Sequence, residues 1–216
     1  MYKRQVIIEA PDKYDNKTFH ANFQPEKETG NDVLYTSELA IGYDHPLSVV
    51  SLDLKRGEKL GILGGNGLGK STFLKTIVGK IPALSGEYRF GTNVQIGYFD
   101  QQMAMYTSNK TVLDDFWDEY PNLTETEARN ALGAFLFSGE DVFKNVNMLS
   151  GGEKVRLALC KILKTRPNVL VLDEPTNHMD IVGKETLESM LKDYKGTLIF
   201  VSHDRYFLNK VCTQIA

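Results

Sequence analysis

The stretch Gly64-Gly65-Asn66-Gly67-Leu68-Gly69-Lys70-Ser71-Thr72 decides the fold, because it matches G-x-x-x-x-G-K-[ST] at every fixed position. It follows a short apolar strand predicted over residues 59–63. After it, apolar residues recur at helical spacing, namely Phe73, Leu74, Ile77 and Val78. A strand, a glycine-rich turn and a helix are the context that a phosphate-binding loop requires. The pattern therefore predicts such a loop, and it excludes G-x-G-x-x-G, which needs a third glycine where Lys70 or Thr72 stands.

Each residue type in this loop has a physical role in binding a polyphosphate. Glycines allow a tight turn whose N–H groups point inward, backed by the positive end of the following helix. Lys70 is predicted to reach the β- and γ-phosphates, the Ser71 hydroxyl to ligate Mg²⁺, and Thr72 to assist at the α- or β-phosphate. The alternative is a glycine-rich turn without a ligand, which requires these residues to coincide by accident.

The composition is that of an ordinary globular protein. The 216 residues are 42% hydrophobic and 25% charged, which is enough for one full-sized core with a subdomain. The sequence has no apolar run long enough to cross a bilayer and no signal-like start, so we expect a soluble, cytoplasmic chain. Cys160 and Cys212 follow no disulfide or metal pattern. The net charge of −3 gives no argument for nucleic-acid binding.

The order of predicted elements indicates an α/β fold. Residues 1–31 are mostly polar and are predicted to be a linker-like extension, while residues 32–216 form one domain. In that domain, residues 32–100 and 165–216 are the core, and residues from about 101 to 164 are an inserted helical subdomain. Strands are predicted at 33–41, 48–54, 59–63, 86–90, 93–99, 169–172 and 197–201, with a turn at 84–87. Helices are predicted after the loop and at 111–118, 125–137, 141–144, 152–164, 181–194 and 205–210. The alternation implies a mostly parallel sheet whose ligand lies beyond the carboxyl ends of the strands.

The run Leu149-Ser150-Gly151-Gly152-Glu153 is the second sharp pattern. It places a hydroxyl and two bare backbone amides at the N-terminus of a predicted helix, which is a second anion site. Two such sites in one chain are redundant unless they serve different nucleotides or different subunits. The alternative is an ordinary helix cap by Ser150.

Carboxylates and a histidine follow two of the predicted strands. Asp173 and Glu174 end the apolar strand at 169–172. Asp173 is predicted to hold Mg²⁺ through water, and Glu174 to act as the general base or to position the water that attacks the γ-phosphate. His203 is a candidate for sensing the γ-phosphate or stabilising the transition state. The alternatives are two solvated carboxylates and a structural histidine.

Taken in order, these patterns resemble an ATP-binding-cassette ATPase across nearly all of residues 32–216. The resemblance rests on the phosphate loop, Gln101, the run at 149–153, Asp173-Glu174 and His203. Two further runs resemble the soluble ABC-F family: Asp173-Glu174-Pro175-Thr176-Asn177-His178-Met179-Asp180 and Ser202-His203-Asp204-Arg205-Tyr206-Phe207-Leu208. The segment at 135–142 resembles the second of that family's two cassettes. Met179 replaces the Leu usual in the family, and Gly65 stands at a variable position of the loop.

The resemblance implies a cofactor, a reaction and further site residues. It implies that ATP and Mg²⁺ are bound and that ATP is hydrolysed where two cassettes close face to face. It gives Gln101 a role at Mg²⁺ and the attacking water, and it implies that Tyr43 stacks on adenine. A tyrosine facing solvent in a turn is the alternative for Tyr43. The run at 150–153 would contact the partner cassette's nucleotide, and the segment around Asp180 would lie between subunits.

Two functions compete for this cassette. The first is an ABC-F ATPase that acts on ribosomes, in translation or in protection from antibiotics, and the second is the nucleotide-binding subunit of a membrane transporter. The runs at 177–180 and 135–142 and the linker-like residues 1–30 favour ABC-F. A nucleotide-dependent interaction module with negligible turnover is disfavoured by Glu174 and His203. The family usually carries two cassettes, so we expect this sequence to be a fragment, with ribosome contacts largely in segments outside it.

Overall fold

The structure is a computed structural model that describes residues 23–216. The strands are β1 (Asp32–Gly42), β2 (Pro46–Lys55), β3 (Lys59–Ile62), β4 (Ser85–Phe90), β5 (Ile96–Phe99), β6 (Val169–Asp173), β7 (Thr197–Val201) and β8 (Gln214–Ile215). The α-helices are α1 (Lys70–Ile77), α2 (Val112–Glu119), α3 (Glu125–Gly133), α4 (Gly151–Lys164), α5 (Ile181–Asp193) and α6 (Arg205–Val211). Short 3₁₀ turns lie at Gln101–Met105, Gly139–Phe143 and Val146–Met148.

Two sheets build the core. One is parallel, with the order β5-β6-β7-β3-β8, and the other is antiparallel, with the order β2-β1-β4. Every residue of β6 and of β7 is buried, as expected for central parallel strands that are covered on both faces. The fold is therefore α/β with a mostly parallel sheet, an antiparallel β part and a helical subdomain, as predicted.

The buried apolar residues form two clusters on the two sides of the parallel sheet. One cluster joins α1 to both sheets and includes Leu34, Phe73, Ile77 and Ile199. The other contains the helical subdomain and includes Phe116, Leu132 and Phe137, which are fully buried. Each such side chain stabilises the fold by about 1.5–3 kcal/mol through the apolar surface it removes from water. These clusters fix α1 and α4, the helices that begin at the two glycine-rich motifs.

Three predicted boundaries are wrong. The strand predicted from residue 93 begins at Ile96, because Asn93 has φ 58 and the Asn168 side chain holds this turn through its hydrogen bonds with the Asn93 carbonyl and the Gln95 N–H. The helix predicted over 125–137 ends at Gly133, since Leu136 adopts φ 66 and breaks helical geometry. The turn predicted at 84–87 is largely strand, because β4 already begins there.

Part of the predicted extension packs on the domain. Most of residues 1–31 lie outside the described residues, but residues 23–31 run along the N-terminal edge of the parallel sheet. Phe23 is buried and meets Phe135 edge to face, with ring centroids 5.2 Å apart. The Gln24 carbonyl accepts a hydrogen bond from Arg166 Nε at 3.0 Å. The segment therefore connects the helical subdomain to the sheet.

The structure also describes the two cysteines and the length and polarity of the helices. Cys160 and Cys212 are free thiols, and Cys160 is buried. Between residues 23 and 216, the helices are all too short or too polar to span a bilayer.

Candidate functional site

The phosphate loop connects β3 to α1, as predicted. Gly67 and Gly69 have φ values of 81° and 88°, in the left-handed region that strains any L side chain. A Cβ at Gly69 would also lie 3.2 Å from side-chain atoms of Ile41 and Leu47. The backbone of the loop thus depends on glycine at these positions, and the residue after Gly69 is the first of the helix.

Lys70 and Ser71 connect this loop to the neighbouring strand β6. Lys70 Nζ donates to the carbonyls of Gly64 at 2.8 Å and Gly65 at 2.7 Å, so its ammonium lies inside the curl of the loop. Ser71 Oγ donates to Asp173 Oδ1 at 2.9 Å. Burial raises the pKa of Asp173, although the hydrogen bond from Ser71 opposes that shift. A hydroxyl and a carboxylate oxygen are therefore adjacent beside the loop.

Glu174 and His203 form a second pair at the ends of β6 and β7. The two strands are neighbours, with Asp173 opposite Val201. Glu174 adopts φ 51, and its Oε1 lies 3.2 Å from His203 Nε2 while its Oε2 accepts from the His203 N–H at 3.3 Å. Oε1 is buried and has no aligned hydrogen-bond donor in the described part of the chain. Burial raises the pKa of Glu174, with His203 opposing, and a raised pKa suits a proton acceptor that works near neutral pH.

Of these groups, four line one cleft of about 320 Å³, namely Lys70, Ser71, Glu174 and His203. Its lining comes from the phosphate loop and its helix, from both strand ends and from the antiparallel sheet: Tyr43, Leu47, Asn66, Gly67, Gly69, Lys70, Ser71, Thr72, Glu174, Val201 and His203. The Tyr43 side chain is 62% exposed, so a flat face is available at the mouth of the cleft. Leu47 and Val201 were not predicted. No local sequence pattern marks either residue as part of a cleft.

The lining of this cleft does not include Gln101 or the second glycine motif, nor Gly64, Gly65, Leu68 and Asp173 of the predicted site residues. Gln101 is exposed and opens a 3₁₀ turn. Ser150 caps α4: its Oγ accepts from the Glu153 N–H at 3.3 Å, and Glu153 Oε2 accepts from the Ser150 N–H at 2.8 Å. Gly152 packs closely on His178, whose carbonyl oxygen would lie 2.6 Å from a Cβ there. A role for this motif at a partner's nucleotide remains a prediction.

The residues present fit a nucleotide with Mg²⁺. The Ser71 hydroxyl and the Asp173 carboxylate are the hard oxygen donors that Mg²⁺ takes. Within residues 23–216, no group of three or more His, Cys, Asp or Glu residues could hold a metal by itself. That fits an ion that takes its other ligands from phosphates and water. The glycine-shaped turn and the ammonium of Lys70 supply the positive, concave surface that a polyphosphate needs.

The fold and the site together define a P-loop nucleotide-binding domain. Residues 47–177 match the model of the family described as ABC transporter. This match covers more than half of the sequence, and the chain therefore belongs to that family of ATP-binding cassettes.

Curated relatives support the ABC-F resemblance. YdiF of Bacillus subtilis (strain 168) is 51% identical over 204 residues, which are 93% of this chain and 32% of that protein. ABC transporter F family member 5 of Arabidopsis thaliana is 38% identical over 217 residues, which are 99% of this chain and 31% of that protein. The resemblance to ABC-F proteins is thereby confirmed. The chain spans about a third of the length of these relatives.

Solved structures confirm the cassette fold. CbiO1 of Clostridium perfringens, part of the ABC transporter complex cbiONQ, aligns with a TM-score of 0.65 and 29% identity, covering 85% of this chain and 83% of that one. A bacterial Atm1-family ABC exporter with ATP bound aligns with a TM-score of 0.72 and 18% identity, covering 86% of this chain and 37% of that one. At 18% identity, the second likeness shows the fold alone.

Proposed function

We propose that this chain is an ATP-hydrolysing cassette of an ABC-F protein, which acts in the cytoplasm and closes face to face with a second cassette. The observation that carries the proposal is the meeting of two pairs, Ser71 with Asp173 and Glu174 with His203, beside one phosphate loop. Each pair joins residues that are far apart in sequence. Their convergence supports a metal position and a base position beside that loop.

Each residue has a defined part in hydrolysis. Lys70 places its ammonium where the β- and γ-phosphates of the substrate would enter the loop. Ser71 and Asp173 would hold Mg²⁺, which supplies neutralisation of phosphate charge when it is bound. Glu174 accepts the proton of the attacking water through its buried carboxylate, and His203 fixes the orientation of that carboxylate.

Nucleotide binding is tested by removing one ammonium group. Lys70→Ala should abolish Mg·ATP binding, because the phosphates lose their principal positive partner. Calorimetry on the purified protein measures this affinity. Lys195→Ala is the matched control. Lys195 is an exposed lysine just before β7, at the amino ends of the parallel strands, whereas the phosphate loop lies at their carboxyl ends. Unchanged affinity in Lys70→Ala would show that the loop is assigned wrongly.

Closure with a second cassette is tested by Glu174→Gln. Ser150, Gly151 and Gly152 lie off this chain's own cleft, so a second cassette would have to supply them to it. Glu174→Gln keeps the binding contacts and loses water activation, and we expect it to form a stable ATP-bound dimer of cassettes. Sedimentation with and without ATP measures this. Concentration-independent turnover by a strictly monomeric sample would contradict the proposal.

The cellular partner is tested in the full-length protein. The full-length Glu174→Gln variant should be trapped on ribosomes by ATP, and pull-down of ribosomes measures this. The support for a ribosomal partner is the likeness to an ABC transporter F family member, together with the runs at 177–180 and 135–142. Co-purification with a membrane permease, without ribosomes, would favour the nucleotide-binding subunit of a transporter instead.

A further inference from the structure

We infer that Asp100 and Asp115 are positioning residues that hold the loop carrying Gln101 at both of its ends. This loop, residues 101–106, leaves β5 in the parallel sheet and leads to α2 in the helical subdomain. The inference rests on the proposed function, because the position of Gln101 affects a rate only if the chain hydrolyses ATP.

Packing of its own residues holds the loop only in part, through Ala104, which is half-buried against the apolar cluster of the helical subdomain. None of the residues in its 3₁₀ turn, Gln101–Met105, is buried, and Met105 is 74% exposed. A short 3₁₀ turn also has poor hydrogen-bond geometry. Side chains of the rest of the domain reach the loop at its two ends, and their hydrogen bonds there add to this partial packing.

At the start of the loop, Asp100 forms the core-side clamp with Lys80 and Tyr98. The Asp100 side chain is buried, and its Oδ2 accepts from Lys80 Nζ at 3.0 Å. Its Oδ1 accepts from the Met103 N–H at 3.2 Å, which caps the turn that Gln101 opens. The Lys80 ammonium also lies 4.4 Å from the centroid of the Tyr98 ring. Lys80 lies in the turn that ends α1, where its N–H donates to the Lys75 carbonyl, so the helix of the phosphate loop holds the start of the Gln101 loop.

At the end of the loop, Asp115 forms the helical-side clamp with Tyr106 and Lys161. Asp115 lies on α2, and its buried carboxylate accepts from Tyr106 Oη at 2.7 Å through Oδ1. Its Oδ2 is 2.7 Å from Lys161 Nζ on α4. Lys161 contacts Glu119 as well, and its ammonium lies 5.5 Å from the Tyr106 ring centroid. The helix that begins at Ser150 therefore holds the other end of the loop.

The two clamps share one construction, in which a buried aspartate is bound by a lysine that also lies near a tyrosine ring. Loss of one partner would leave a charge buried and unpaired, which makes each arrangement resistant to displacement. The core-side clamp also lies next to the strand end that carries Asp173. Phe99 pairs with Leu172, so Asp100 and Gln101 follow β5 beside Asp173 and Glu174. A shift at either end of the loop would thus move Gln101 relative to the predicted metal and base positions.

The experiment compares three conservative variants in the full-length protein. Tyr106→Phe removes only the hydroxyl bond to Asp115, and Lys80→Met removes only the ammonium that binds Asp100. Both should lower kcat about tenfold, the effect expected from a loss of alignment worth one hydrogen bond. KM for ATP should stay within about twofold, because the phosphate loop is unchanged. Tyr120→Phe is the matched control: Tyr120 Oη donates to the backbone carbonyl of Lys161 at 2.6 Å and bonds neither of the two aspartates.

A rescue variant separates positioning from general stability. Lys80→Arg keeps the charge at Asp100 and should recover most of the kcat lost in Lys80→Met, with melting temperatures recorded for every variant. An unchanged kcat in Tyr106→Phe and Lys80→Met, or an equal loss in Tyr120→Phe, would overturn the inference. Absence of turnover in the wild-type full-length protein would instead refute the proposed function, and with it the catalytic meaning of the clamps.

Discussion

Single residues decide the shape of the phosphate loop, and Gly69 is the most constrained of them. It combines a φ of 88° with side-chain atoms 3.2 Å from the position a Cβ would take. Gly57 has a similar φ of 78°, but a Cβ there would have no atom of residues 23–216 within 4 Å. Substitution of Gly57 therefore measures the cost of a left-handed backbone alone. Substitution of Gly69 adds the cost of a distorted loop.

We expect Gly69→Ala and Gly57→Ala to share one effect and to differ in another. Both should lower the free energy of unfolding by about 1–2 kcal/mol, the cost of a left-handed L residue. Gly69→Ala alone should also weaken ATP binding by tenfold or more, because its Cβ pushes on Leu47 and distorts the loop. Denaturant unfolding and calorimetry measure the two quantities. Equal ATP affinities in the two variants would contradict this account.

For single residues, the sequence predicts which side chains carry the chemistry better than it predicts which side chains line the cleft. The phosphate-loop motif predicts Lys70 and Ser71, and the apolar strand that ends in two carboxylates predicts Asp173. Leu47 could not be found this way, since it reaches the cleft only through the docking of the antiparallel sheet against α1. That docking depends on the apolar cluster, which no local pattern contains.

Among the elements, α3 and α4 begin with the same capping box but in different surroundings. In α3 the Thr124 hydroxyl accepts from the Glu127 N–H, and in α4 the Ser150 hydroxyl accepts from the Glu153 N–H. Only the second box belongs to the glycine-rich motif that the resemblance places at a partner's nucleotide. The capping box of α3 is therefore an internal control for the capping box of α4.

Ser150→Ala and Thr124→Ala should destabilise the domain to a similar extent, by about 1 kcal/mol, because each loses one cap. Only Ser150→Ala should also lower ATP turnover in the full-length protein. Thermal unfolding and a phosphate-release assay measure these effects. If Thr124→Ala lowered turnover as much as Ser150→Ala, the role of Ser150 would be that of a helix cap alone.

The cap of α3 also predicts a pH dependence. Hydrogen bonds from the Thr124 N–H and then from its hydroxyl, both at 2.8 Å, hold the pKa of Glu127 below its ordinary value of 4.5. The folded state therefore binds this proton less tightly than the unfolded state does. The stabilisation is complete above pH 4.5 and is lost as the pH falls through the lower, folded pKa. The stability difference between wild type and Glu127→Gln, followed by urea titration, should shrink across that acidic range, while a constant difference would contradict the assignment.

Element types were predictable where hydrophobic patterns were long, and boundaries were not. The unbroken apolar runs of β6 and β7 predict strands, because both faces of each strand are buried. The strand β8 was missed, because its two residues carry no pattern and are defined only by pairing with β3. The early end of α3 depends on the left-handed Leu136, whose conformation follows from the packing of Phe135 and Phe137 on either side.

At the scale of the whole molecule, substitution of Phe23 tests whether residues 23–31 are part of the folded domain. Its buried ring packs on Phe135 of the helical subdomain. Phe23→Ala should reduce the free energy of unfolding by roughly 3 kcal/mol, as for other buried aromatic truncations. Phe143→Ala is the control, because that ring is 48% exposed and should cost much less. Similar small losses in both variants, measured by urea unfolding, would mean that the segment is only loosely attached.

The architecture was predictable as a class, but its strand order was not. Alternating strands and helices predict a mostly parallel sheet. They do not reveal that β3 lies between β7 and β8, because that order depends on which faces of the helices bury the most apolar surface.

The position of β3 also determines how long this strand waits for its pairing strands while the chain is being synthesised. Leu60 pairs with Ile199, roughly 140 positions later, and synthesis at about 5–20 residues per second separates the two by roughly 7 to 28 seconds. Throughout that interval β3 has neither of its neighbours, β7 and β8. Unpaired strand edges are prone to aggregation. The speed of translation between β3 and β7 therefore sets how long each new molecule stays vulnerable.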